Sequence, residues 1–234
     1  MSGVDSQWAQ LLADAISVLG NKEFFPRLAQ ALTTSSGTGN TLLFHYPPDS
    51  QPRAIYTCYP EGSDEYARHI DRYLSGPYIL DPFYEASQRN IPAGAYQLQD
   101  IAPDDFTSSE FYRVYYKETG LKDEISFMQS LGEAGHLEFS VGYVGAEPAF
   151  PQEQVEFFKA IAPIVNSLVL RQWNFLDSGE YQNRKRRFTT NCNWRWTFLA
   201  ARSSPSENNP FSSCYFRDIR TNLQQTSSPS LNPL

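Results

Sequence analysis

The stretch DEISFMQSLGEAGHLEFSVGYV, residues 123–144, reads as two strands, 123–131 and 137–144, joined by Gly132-Glu133-Ala134-Gly135. Two such runs closed by a glycine-bounded turn predict a hairpin. Downstream, Pro151 sits where the first turn of a helix tolerates proline. Phe158, Ile161, Val165, Leu168 and Trp173 then give one apolar stripe of a long helix, which Pro163 is expected to weaken or kink. Upstream, 41–46 and 53–59 form a second predicted hairpin, with Pro47-Pro48-Asp49-Ser50 as its loop. Two helices precede it. One carries Trp8, Leu11, Leu12, Ala15, Ile16 and Leu19 and is closed by Gly20. The other is capped by Asn21 and carries Phe24, Phe25, Leu28 and Leu32. Between the hairpins, helices are predicted over 63–73, from Asp81-Pro82 towards Arg89, and over 108–119, with 91–103 as loop. The order helices, hairpin, helices, hairpin, helix predicts an α/β fold, a layered α-β-α sandwich around a central antiparallel sheet.

Charge divides the chain. Residues 1–178 hold 11 Lys+Arg against 23 Asp+Glu, a balance of −12, while 179–234 hold 8 against 3, a balance of +5. Phosphate repulsion argues against a nucleic-acid surface on the first part. No apolar run approaches the ~18–20 residues of a membrane span, and residues 1–7 do not read as a secretory signal. Cys58, Cys192 and Cys214 are distant and odd in number, which suggests neither a disulfide framework nor a zinc site and makes a reducing cytoplasm the expected location. His45, His69 and His136 have neither triad nor metal-ligand spacing. Asp104-Asp105 and Asp123-Glu124 are paired acids of the kind a hydrolase uses, but they read more simply as a solvated loop and a helix-to-strand corner. No catalytic residue, metal or cofactor is therefore expected. An enzyme on the same scaffold is the alternative from another class.

Residues 66–125 carry a resemblance. Tyr73, Tyr78 and Asp81-Pro82, then Phe111-Tyr112 and Gly120-Leu121, fall in the order and spacing of LuxR-type autoinducer-binding domains, which have a GAF/PAS-like fold. The resemblance covers about residues 5–175, and over 73–85 it is nearer to a branch with no assigned acyl-homoserine-lactone signal. It implies a small-molecule signal of unknown identity. Asp81 is implied as acceptor for a ligand amide, and Tyr73, Tyr78, Tyr96 and Tyr112 as pocket aromatics. Arg68 and Tyr96 stand where lactone-binding relatives carry tryptophans. Asp81 would also serve as the cap of the helix it precedes. A homodimer or heterodimer is implied, with pairing through the 151–173 helix, and a stand-alone dimerisation module that modulates intact regulators is the alternative function. DNA would be a partner in intact family members, and no membrane partner is expected.

The expected division is a ligand-sensing domain over 1–176 and an irregular tail over 177–234, in place of the family's helix-turn-helix domain. That tail lacks a sustained apolar period, and its Arg184–Arg187 run would supply at most nonspecific affinity for nucleic acid. Read one base out of frame, residues 204–208 permit Leu-Thr-Glu-Arg-Glu, Asp218 permits Gly, and 220–222 permit Ser-Asn-Lys, the helix-turn-helix signature at its own spacing. Cys192, Trp194 and Trp196 each permit Leu, whereas Gln224 cannot give the usual Ile. A frameshift between about residues 174 and 190 is the expectation; an ordinary irregular tail is the alternative.

Overall fold

The computed structural model describes residues 3–36, 39–177 and 215–216. Helix α1 (Gly3–Ser17) and α2 (Phe24–Ser36) come first, followed by β1 (Asn40–Tyr46) and β2 (Arg53–Thr57). A helical stretch α3 covers 64–74, then α4 (Pro82–Gln88), β3 (Gly94–Gln97) and the short α5 (Leu98–Ile101). Next are α6 over 110–119, β4 (Asp123–Ser130), β5 (His136–Tyr143) and α7 (Gln152–Asp177). Tyr215–Phe216 forms a two-residue β6. The sheet is antiparallel throughout, in the order β3-β4-β5-β1-β2-β6. The rest of the 177–234 tail lies outside the described residues, and so does its frame.

Strand periodicity sends alternate residues to opposite faces. On one face Leu43, Ile125, Phe127, Leu137, Phe139 and Val141 pack with Phe24, Phe25 and Leu28 of α2 and Phe158 and Val165 of α7. On the other face Leu42, Phe44, Tyr46 and Met128 pack under Tyr66, Tyr73, Phe83, Phe111, Tyr115 and Tyr116 from α3, α4 and α6. The result is the expected three-layer α-β-α sandwich.

The two outer layers are fastened by polar side chains. Gln172 of α7 is fully buried; its carbonyl oxygen accepts from Gly20 N at 2.7 Å and its amide donates to Asn21 O at 2.9 Å, tying α7 to the turn between α1 and α2. Asn166 donates to Met128 O and Gly94 O at 3.1 and 3.3 Å, tying α7 to β4 and β3.

One expectation needs correction. The 91–103 stretch is not all loop: β3 pairs with β4 from Gly94↔Met128 to Gln97↔Ile125 and forms one edge of the sheet. A four-residue edge strand presents too few alternations to show in sequence. Pro163 sits inside α7, which is helical from Gln152 to Asp177. Pro163 lies on the exposed side of that helix, where water can satisfy the carbonyl its missing N–H would have bonded.

Candidate functional site: a carboxylate-lined chamber

Between the sheet and the α3–α6 layer lies a chamber lined by Asn40, Leu42 and Phe44 of β1, Tyr73, Asp81, Phe111 and Tyr115 of the helical layer, Leu121, Glu124 of β4, and Glu138, Ser140 and Gly142 of β5. Its free volume is about 20 Å³, room for about one water molecule. Register explains the polar floor. Asn40 is paired with Gly142, and Glu124 is paired with the same glycine from the opposite side. Glu138, Ser140 and Gly142 alternate with Leu137, Phe139 and Val141, so the face opposite the apolar core is acidic and hydroxylic.

The helices over this chamber are irregular. Within α3, Ala67–Asp71 is π-helical, and so is Tyr112–Tyr116 within α6. The Tyr115 hydroxyl donates to His69 O at 2.8 Å, linking one π segment to the other. Arg72 adds a second link, donating to Val114 O at 2.8 Å. Such π turns recur at functional sites, where they re-aim side chains.

Asp81 uses both of its carboxylate oxygens within the protein. Oδ1 accepts from Phe83 N at 2.8 Å and caps α4, while Oδ2 accepts from the Tyr73 hydroxyl at 2.6 Å. Tyr73 Oη lies 2.8 Å from Tyr46 Oη, which in turn touches Glu138 Oε2. Glu138 Oε1 accepts from Ser126 Oγ at 2.6 Å, and Glu124 Oε2 accepts from the Tyr116 hydroxyl at 3.1 Å.

Tyr73 thus donates to Asp81 and Tyr46 to Glu138, with the two phenol oxygens in contact between them. Burial first, then the charges of Asp81 and Glu124, push Glu138 well above the ordinary glutamate value. Burial also raises Asp81 to about 6, opposed by the bonds from Tyr73 and the backbone. Glu124 is raised to about 8 by burial and then by the Asp81 charge.

Of the aromatics expected at the site, Tyr73 lines the chamber with Asp81. Tyr78 stands beside it, 6.2 Å from Tyr73 ring to ring and edge-on to Tyr84, without reaching the lining. Tyr96 is half-buried on β3 with its hydroxyl donating to Pro92 O at 3.0 Å, and Tyr112 packs on Phe106 and Tyr116; neither reaches the chamber. Sequence reasoning missed Glu138, Ser140 and Asn40 and took Glu124 for a corner residue. Asp123, its neighbour, turns away: its Oδ2 accepts from Gln97 at 2.6 Å and Phe150 N at 3.0 Å. A wider, open groove of about 540 Å³, bordered by Asp100, Asp104, Lys122 and Asp123, contains none of the five expected site residues.

No family model matches the chain. The ligand-binding domain of VqsR from Pseudomonas aeruginosa shares its fold, with a TM-score of 0.62 and 27% identity over 72% of this chain and 98% of that one. A GAF domain from Synechocystis sp. PCC6803 has a TM-score of 0.46 at 12% identity, over 67% and 97% of the two chains. In sequence, 93 residues are 23% identical to a protein of Aeromonas salmonicida named as an HTH-type transcriptional regulator, over 40% of this chain. The match spans about half the length of that relative. The chain is thus similar to the ligand-binding part of a regulator, and among the described residues no helix is long and apolar enough to cross a membrane.

Proposed function

We propose that residues 1–176 are the signal-sensing domain of a LuxR-type transcription regulator and that the chamber beside Asp81 receives a small molecule. The observation that carries this is the chamber itself: the Asp81–Tyr73 pair, roofed by two π-helical segments, in a fold similar to that of the VqsR ligand-binding domain. In this reading ligand binding shifts the balance between two states, which requires different affinity for each. The protein is cytoplasmic, has no catalytic role, and pairs with itself or with an intact relative through α7. Its 177–234 tail is the out-of-frame translation of a helix-turn-helix, so the chain does not bind operator DNA specifically.

The test is a thermal melt of the full chain against a panel of bacterial signal molecules, acyl-homoserine lactones included. A ligand that binds the folded state raises Tm by mass action. The rise is expected to disappear in Asp81→Asn. A panel without effect, or a rise indifferent to Asp81, would count against the assignment. The tail is tested separately, by the nucleotide sequence across codons 170–234 and by mobility shift on a palindromic site, where no specific retardation is expected.

A further inference from the structure

Three carboxyl groups, those of Asp81, Glu124 and Glu138, converge on a chamber whose described lining contains no lysine, arginine or histidine. Among the described residues the two ion pairs are Arg89–Glu85 and Lys159–Asp100, so neither involves the chamber. Buried acids are normally paired with a cation or coordinate a metal. Here the protein supplies hydrogen bonds from Tyr46, Tyr73, Tyr116 and Ser126 instead.

A second observation comes from Asn40. It is 6% exposed, lines the same chamber, and its side chain forms no hydrogen bond among the described residues. Its amide lies directly over Gly142, where a Cβ would come within 2.9 Å of Asn40 Nδ2 and 2.6 Å of Leu121 Cδ2. The glycine therefore makes the space into which Asn40 projects. At the chamber wall that amide is left available to a molecule that enters.

Resting on the sensing function proposed above, we infer that this chamber takes a positively charged nitrogen, the ammonium head of a small amine, held among Asp81, Glu124 and Glu138 with the Asn40 carbonyl as a further acceptor. An ammonium head is close in size to the single water that the free volume admits. It carries up to three donors, and the site consists of acceptors once its spare protons leave.

Proton linkage gives the inference a signature. The empty chamber holds protons on Glu138 and, below about pH 8, on Glu124. A cation arriving between them displaces those protons to solvent. Affinity therefore rises with pH. The titratable groups that face the cluster are Tyr46 of β1, Tyr73 of α3, Tyr115 and Tyr116 of α6, and Asp123 beside Glu124. The four tyrosines are held above their ordinary value by burial, so they stay neutral over this window. Asp123 is raised as well, again chiefly by burial.

The experiment is a titration of the full chain, labelled with ¹⁵N, with methylammonium chloride at about pH 6 and about pH 8.5, with sodium chloride as the matched salt. Saturable shifts of the Asn40 side-chain amide and the Gly142 amide are expected, with several-fold tighter binding at the higher pH. Glu124→Gln and Glu138→Gln, both checked for folding by their melts, are each expected to weaken binding about tenfold. Calorimetry in two buffers of different ionisation heat should show protons released. Absence of saturation, an equal response to sodium chloride, or indifference to both substitutions overturns the inference. If a neutral acyl-homoserine lactone shifts the same two residues where methylammonium does not, the sensing function stands and the cationic ligand falls.

Discussion

At Glu138 burial, then the charges of Asp81 and Glu124, favour the neutral form of a side chain that looks charged. Glutamine has the same shape and can donate in its place. Glu138→Gln is therefore expected to leave the urea midpoint almost unchanged. Glu138→Ala opens a cavity and strands Ser126 and Tyr46, at a cost of about 2–4 kcal/mol. Equal losses in the two variants would show that the carboxyl is ionised. The same protons set a pH dependence. Folded-state values for Asp81 and Glu124 lie above their ordinary ones, at about 6 and about 8, so the folded chain binds more protons than the unfolded one between the two sets of values. Their contribution is fully present below about pH 4 and is lost as pH rises towards 8, at no more than about 1.4 kcal/mol per pH unit for each proton. Urea midpoints measured from pH 5 to pH 8.5 should fall, and the fall should flatten in Glu124→Gln.

The turn between β4 and β5 and the edge strand β3 show how far elements can be read from residues. Gly135 has φ +93°, and a Cβ there would stand 2.0 Å from Tyr46 O. Gly135→Ala combines a strained backbone with a clash against the β1 backbone, and a loss of about 3 kcal/mol or more in unfolding free energy is expected. A melt within two degrees of the parent would refute that. The Gly132–Gly135 pair was legible in the sequence because a tight turn demands such residues. Tyr73 and Asp81 were legible through the family pattern. Glu138 and Glu124 were not: in HLEFSVGY the polar alternates look like a solvent face, and only the α3–α6 layer, whose helices come from elsewhere in the chain, turns that face into an interior. The π segments were equally hidden, since an extra residue in one turn leaves no mark in composition.

Across the whole molecule, chain ends far apart in sequence are joined by Gln172. Gln172→Leu removes two hydrogen bonds and leaves Gly20 N–H and Asn21 C=O to be satisfied by water. A loss of about 2 kcal/mol is expected, read as a lower urea midpoint, with faster proteolysis of α1 if the first helices detach. All eight residues of β5 are buried, with β1 on one side and β4 on the other, so the strand has neither a wet face nor a free edge. Its amides can trade hydrogen for deuterium only when the sheet itself opens. The β5 peptide is thus a built-in clock for the entire fold: any molecule that occupies the chamber slows that clock by the factor by which it deepens the folded state, whatever its chemical identity.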